Sequence, residues 1–229
     1  MKKVALLAGL VTLGAFPAVA QSTVNFNAKG LVVISDADLS ASALSDGKLL
    51  RNNTAKDQIT TIKLPLQRGS AGVGSELTPN SVLGYGKTIA VPTTGGLAYV
   101  LEHRVRPDDG VAEFKDINAE FPVGEKLYVV DIINLGGPKA KFSFPVGKKP
   151  TAIDINKNEL IISTADKGKE LVFIEAAPDG KPARFLNLPV GIDTTSKIND
   201  LSWHPSGDFI AFTLDKANEV GLYKVIREA

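Results

Sequence analysis

The chain has 229 residues, of which 44% are apolar and 22% are charged, a composition typical of a folded globular protein. Its 26 basic residues nearly balance its 25 acidic residues, which argues against nucleic acid as a partner, because binding a phosphate backbone requires excess positive charge. Cysteine is absent and there are 2 histidines, which excludes disulfides, thiol nucleophiles, iron–sulfur clusters and multi-histidine metal sites. We therefore predict no metal site and no cofactor, and we assign no catalytic residue.

The first 20 residues have the pattern of a secretory signal peptide. Lys2 and Lys3 precede an apolar run over 4–16, and a small-x-small cleavage site occupies 18–20. The apolar run is shorter than the roughly 20 residues that a membrane-spanning helix needs. We therefore expect cleavage before Gln21 and a protein in the periplasm or outside the cell, with no membrane association after cleavage.

The rest of the chain alternates short apolar, β-branched runs with clusters of Gly, Pro, Asn and Asp. This pattern predicts β-strands, and helical periodicity is hard to find. The predicted strands, in chain order, are 31–35, 59–66, 88–91, 98–102, 127–133, 140–146, 151–155, 160–164, 171–175, 184–190, 199–203, 209–213 and 220–225. We therefore predict an all-β protein.

The order of these strands repeats along the chain. The fourth strand of two units ends in the same way, with an apolar residue followed by Pro-Val-Gly at 144–147 and 188–191. Four short antiparallel strands that recur about every 40 to 50 residues are typical of a β-propeller blade. Blades are predicted at 22–66, 82–147, 149–191 and 198–225, and the last of them lacks its fourth strand.

Two segments resemble known propellers. The sequence SWHPSGDFIAF over 202–212 is similar to the W-x-P-x-G-x-x-[IL]-[AV] pattern of WD-repeat-like and TolB-like blades. KPTAI at 149–153, with LYVVD at 127–131, resembles secreted YVTN-repeat propellers and the quinoprotein amine dehydrogenase β-chain-like group. The resemblance implies that Trp203 packs between blades and that His204 belongs to a structural turn. It does not select a function, because these families include binding proteins, lactonases and electron-transfer subunits.

The number of blades leaves two alternatives for the ring. Propellers of the families that the chain resembles usually have about six to eight blades. Either 23–26 supply the missing outer strand of the last blade, or the chain is a truncated member that forms a partial ring. The sequence favours the partial ring. An open blade edge at 222–225 would then allow self-association, because an unpaired strand edge is a template for pairing with another chain.

Two long connections, 67–81 and 104–125, are predicted to overhang the same face of the propeller. Loops longer than about 12 residues are usually functional or disordered. The alternative is that their charges are ordinary solvated loop charges. The candidate residues for a binding face are Arg68, His103, Arg104, Arg106, Asp108 and Asp109.

Two functions are consistent with this pattern. The first is a non-catalytic propeller whose loop-built face binds a protein, a peptide or a glycan. The second is an enzyme or enzyme subunit of the lactonase or quinoprotein-dehydrogenase type, which needs convergent acidic or histidine side chains at the central channel. Asp154, Asp200 and a histidine around one cavity would favour the enzyme, whereas their separation, with the two long loops gathered over one face, would favour the binding protein.

Overall fold

The computed structural model describes residues 27–35, 49–50, 55–66, 68–79, 87–106, 110, 113–114, 120–191, 196–216 and 219–227. The strands are β1 (Gly30–Ser35), β2 (Leu49–Leu50), β3 (Gln58–Lys63), β4 (Val73–Leu77), β5 (Ile89–Ala90), β6 (Leu97–Leu101), β7 (Glu113–Phe114), β8 (Lys126–Asp131), β9 (Lys139–Pro145), β10 (Ala152–Asn156), β11 (Glu159–Ser163), β12 (Leu171–Ala176), β13 (Pro182–Leu188), β14 (Ile198–Trp203), β15 (Phe209–Leu214) and β16 (Val220–Lys224). The predicted all-β class is confirmed.

Four antiparallel sheets follow one another along the chain. The first sheet has the order β1-β3-β4, the second β5-β6-β8-β9, the third β10-β11-β12-β13 and the fourth β14-β15-β16. The short strands β2 and β7 pair with each other. Among the described residues, the two middle sheets therefore have four strands each, while the first and the fourth have three.

The segment 67–81 differs from its prediction as a loop. It contains β4, which pairs along β3 and extends the first sheet to Leu77, beyond the predicted boundary at 66. The glycine content of this segment hid the strand. A Cβ atom on Gly74 would overlap the backbone of Gly136, so this glycine allows the β8–β9 turn to approach the strand closely.

Each sheet packs face to face on the next one. The second and third sheets share a core in which Leu127 and Val129 lie in one cluster with Leu160, Ile162 and Ile174. The other face of β11, at Ile161, packs toward the fourth sheet. A strand covered on both faces has no polar alternation, and this explains the unbroken apolar run over 160–162.

The other two junctions are built in the same way. Ile59 of the first sheet packs in one cluster with Ala98, Val100 and Val130 of the second. Trp203 is 6% exposed and lies between the third and fourth sheets, with its ring 6.4 Å from that of Phe173. The predicted packing of Trp203 between sheets is confirmed. Among the described residues, none of the three apolar clusters joins the first sheet to the fourth.

Candidate functional site

A cleft of about 280 Å³ lies where the first and second sheets meet. The first sheet contributes residues that flank the beginning of β3 and the end of β4, and the second sheet contributes residues at and after the end of β6, with one from β8. The cleft combines two acidic, two basic and two hydroxyl side chains. Its lining residues are Lys56, Asp57, Thr78, Pro79, Glu102, Val105, Arg106 and Tyr128.

Asp57 and Thr78 are held together at the edge of the first sheet. The backbone N–H of Thr78 donates to the carbonyl of Asp57 at 3.0 Å, which joins the residue before β3 to the residue after β4. Asp57 is 3% exposed. Within the described part of the chain, the hydroxyl Oγ1 of Thr78 is buried and has no hydrogen-bond partner. A buried hydroxyl without a partner is costly to the stability of the fold.

Glu102 and Tyr128 form the opposite wall of the cleft. The Tyr128 hydroxyl donates to Glu102 Oε1 at 3.2 Å, and the backbone N–H of Glu125 donates to Oε2 at 3.4 Å. These two bonds hold the buried carboxylate in place. Burial, followed by the charge of Glu102, raises the pKa of Tyr128 above its ordinary value. The phenol therefore stays protonated and continues to donate at neutral pH.

The segment that follows Glu102 is not the solvated loop that its charges predict. Val105 donates its N–H to the carbonyl of Pro122 at 2.9 Å, and Arg104 forms a β-bridge with Val123. Residues 104–106 therefore run antiparallel to 121–123 and continue the β6–β8 hairpin. This pairing carries Arg106 to the cleft.

His103 and Arg104, two of the predicted binding-face residues, are buried, at 5% and 2% exposure. His103 Nδ1 donates to the carbonyl of Pro150 at 2.7 Å, and Arg104 Nη1 donates to the carbonyl of Phe121 at 3.2 Å. Burial lowers the pKa of His103, and the charges of Arg104 and Lys149 lower it further, against the opposing effect of the Pro150 hydrogen bond. His103 thus connects the second sheet to the segment before β10, and Arg104 stabilises the extension of the β6–β8 hairpin.

The remaining predicted binding-face residues do not converge on the cleft. Arg68 is exposed in the β3–β4 hairpin, at the opposite end of the first sheet from Asp57 and Thr78. The turn that contains Arg68 therefore lies away from the cleft, whereas Thr78 and Pro79 of the same predicted connection line the cleft together with Val105 and Arg106 of the other. Asp108 and Asp109 lie outside the described residues.

The groups that would have favoured an enzyme have separate partners. Asp154 accepts hydrogen bonds from Ser202 and Trp203 of the fourth sheet, whereas Asp200 accepts one from its own neighbour, Leu201. The exposed His204 contacts Ser206 through Nδ1, at 2.9 Å, within the turn between β14 and β15. His103 is bonded to Pro150. The condition that would favour an enzyme, a cavity shared by these groups, is not found among their contacts.

A wider groove, of about 400 Å³, lies between the second and third sheets. Its lining is mainly apolar and includes Tyr99, Ile133 and Ile155, with Lys141 and Lys157 among the few charged residues. It lacks the mixed charges of the cleft, so we take the cleft as the candidate site. Within the described ranges, no cluster of three or more His, Asp or Glu side chains could hold a metal ion, and no helix is long and apolar enough to span a membrane.

No family model matches the chain, and no curated protein matches it by sequence. Solved structures do resemble it. A putative 6-phosphogluconolactonase from Bacteroides uniformis superposes with a TM-score of 0.50 at 14% identity, covering 88% of this chain and 52% of that one. The β-propeller domain of Cps50 (Swd1) from Myceliophteria thermophila has a TM-score of 0.45 at 11% identity, covering 77% of this chain and 51% of that one.

The fold is a β-propeller. A periplasmic gluconolactonase from Pseudomonas aeruginosa superposes with a TM-score of 0.47 at 12% identity. The match covers 73% of this chain and 46% of that one. The propeller predicted from the strand repeat is thus confirmed as a fold class, while identities this low carry no function. The chain spans about half the length of these solved structures.

Proposed function

We propose that this protein is a non-catalytic β-propeller that binds a peptide segment, free or within a partner protein, at the cleft between its first and second sheets. The observation that carries this proposal is the cleft itself, which is lined by two basic and two acidic side chains together with Thr78 and Tyr128.

The size and charge of the cleft favour a peptide side chain or a peptide terminus. Its volume of about 280 Å³ is at the small end of the range for ligand pockets, so it would accommodate one or two side chains. Lys56 and Arg106 supply positive charge and Asp57 and Glu102 supply negative charge, which suits a ligand with donors and acceptors close together. A peptide offers both along its backbone.

A glycan is the other ligand class that the sequence left open. Saccharide rings are commonly held against an exposed aromatic face. Tyr128 is the aromatic residue of the cleft, and its side chain is half-buried with its hydroxyl bonded to Glu102. These contacts favour a peptide over a glycan.

An enzyme of the lactonase or quinoprotein-dehydrogenase type is the alternative from another class of function. The separate hydrogen-bond partners of Asp154, Asp200 and the two histidines support binding over catalysis. Incubation of the purified chain with gluconolactone, followed by titration of released acid, checks the alternative directly. Acid release that Asp154→Ala abolishes would favour the enzyme.

Selection of a displayed random-heptapeptide library on the purified chain tests the binding function. We expect selected peptides to bind with a dissociation constant that rises at least about tenfold with Arg106→Ala, since removing a charged partner costs about 1.4 kcal/mol or more. Arg68→Ala is the matched control, because Arg68 lies at the other end of the first sheet, and it should leave binding unchanged. Peptides that bind both variants equally well would refute the assignment of the cleft.

We also propose that the chain is exported and cleaved before Gln21, into the periplasm or the medium. The basic start, the short apolar run and the small residues at 18–20 support this proposal. Intact-mass measurement of the exported protein should give residues 21–229. A mass that retains 1–20 would contradict it.

A further inference from the structure

Among the described residues, the first and the fourth sheet each have one face that no other sheet covers. In the fourth sheet, Leu222 is 64% exposed and Val220 is 72% exposed. In the first sheet, Leu31 is 46% exposed and Val33 is 47% exposed. Exposed apolar rows of this kind on a folded protein commonly mark an interaction surface.

The exposed surface of the fourth sheet corresponds to a surface of the third sheet that is buried. In the third sheet, Ile161 pairs with Phe173, and this pair packs against the fourth sheet. In the fourth sheet, the corresponding central pair is Ala211 with Leu222. We call this uncovered surface of the fourth sheet, which also includes Val220, the forward face. The corresponding surface of the third sheet is the one that is turned toward the next sheet along the chain.

The first sheet has the opposite surface uncovered. Its residues Val32, Ile34 and Ile59 pack toward the second sheet. Alternation along the strands turns Leu31 and Val33 the other way. Leu31 pairs with Ile62, which pairs with Val73, so these side chains form one apolar row across the sheet. We call the surface formed by Leu31, Val33, Ile62 and Val73 the backward face, because it is turned away from the next sheet.

We propose that the forward face of one copy packs on the backward face of a second copy, and that two such contacts close a ring of two chains. Every junction within the chain joins a forward face to a backward face, and each copy has one face of each kind uncovered. Two arcs of four sheets would give eight blades, within the usual range of about four to eight.

This interface is heterologous, because it joins two different surfaces. Such an interface makes a closed ring when its rotation returns to the start and an open filament when it does not. An edge-to-edge contact of two β16 strands would instead be isologous and would not involve the first sheet. The filament differs in mass from the two dimers, and the two dimers differ in which substitutions disrupt them.

Sedimentation equilibrium of the purified, processed chain over a range of concentrations measures the assembly. We expect a single species with twice the mass of the chain. Leu222→Lys on the forward face and Val33→Glu on the backward face should each weaken dimerisation at least about tenfold, because each places a charge in an apolar interface. Both side chains are exposed in the single chain, so thermal unfolding followed by circular dichroism should show that both variants still fold.

Ile133→Lys is the matched control. Ile133 is 78% exposed and follows β8 in the turn to β9, on neither of the two faces, so this variant should dimerise like the original chain. A loss of dimer in the control as large as that in Leu222→Lys would overturn the proposal.

Mixing the two disruptive variants separates a contact between forward and backward faces from an edge-to-edge contact of two β16 strands. In a ring of one Leu222→Lys chain and one Val33→Glu chain, one junction is unaltered and the other brings the introduced lysine against the introduced glutamate. The mixture should therefore dimerise although neither variant does so alone. A chain that is monomeric up to its solubility limit, polymers that grow with concentration, or a dimer that Val33→Glu leaves intact would each overturn the closed ring.

Discussion

The Asp154 carboxylate accepts a hydrogen bond from the backbone N–H of Trp203 at 2.8 Å, across the junction of the third and fourth sheets. The same oxygen, Oδ2, accepts a bond from the Ser202 hydroxyl at 3.0 Å and lies 3.2 Å from Nζ of Lys87, which precedes the second sheet. One side chain thus connects three consecutive sheets.

Asp154→Ala should lower the free energy of unfolding by about 1 to 3 kcal/mol, because it removes the acceptor for the Trp203 N–H and the Ser202 hydroxyl. Urea denaturation followed by tryptophan fluorescence measures the loss. Asp200→Ala is the control, since Asp200 accepts a bond from its neighbour Leu201 and crosses no junction. Equal losses in the two variants would show that the bonds between sheets add little.

Trp203→Ala should destabilise the protein by about 3 to 5 kcal/mol, because it leaves a large cavity between the third and fourth sheets. Calorimetric unfolding provides the measurement. Ile133→Ala, at an exposed position, should change stability by no more than about 0.5 kcal/mol. A loss below about 1 kcal/mol for Trp203→Ala would be incompatible with an indole packed between sheets.

His103 predicts a pH dependence of stability. Folding lowers its pKa from the ordinary value of 6.5, so the unfolded chain binds a proton more readily than the folded chain. The stabilisation is complete above the unfolded pKa and is lost as the pH falls toward the folded pKa. The free energy of unfolding should therefore decrease between about pH 7.5 and 5.5, where carboxylates titrate little.

Urea denaturation at several pH values, for the original chain and for His103→Gln, tests this dependence. The substitution should flatten the slope. The assignment fails if the slope is the same in His103→Gln and in the original chain.

Thr78→Val should raise the free energy of unfolding by about 1 kcal/mol, because it replaces a buried hydroxyl that lacks a partner with a methyl group of the same size. The same change should weaken peptide binding. Thr60→Val is the control, since the Thr60 hydroxyl is bonded to Ser75 at 2.9 Å, and we expect no gain in stability from it. Parallel measurement of unfolding and of peptide affinity separates the two effects.

The strand pattern predicted most of the fold, including β1 and β3 of the first sheet, but not the third strand of that sheet, β4. Unbroken apolar runs such as 160–162 predict strands covered on both faces, and the structure has β11 there. β4 was missed because its sequence, VGSEL, contains a glycine and two polar residues, and half of it faces solvent. Its pairing with β3 stabilises it, and no local signal in the sequence indicates that pairing.

The cleft could be predicted only in part. Arg106 is among the predicted binding-face residues and lines the cleft, whereas no sequence motif marks Asp57, Thr78 or Tyr128, which line it too. These residues come from segments far apart in the chain, and only the packing of the first sheet on the second brings them together. His103 is polar, so the sequence predicts that it is exposed. Its hydrogen bond to the carbonyl of Pro150 offsets the cost of burying the ring.

The sequence by itself determined the all-β class and the succession of similar units, because strand periodicity and turn residues act over a few neighbouring positions. The tertiary structure decided which charges are buried, which residues line a common cleft and which two faces stay uncovered. Those properties depend on how whole sheets stack, and the free energy of stacking arises from contacts between residues far apart in the chain.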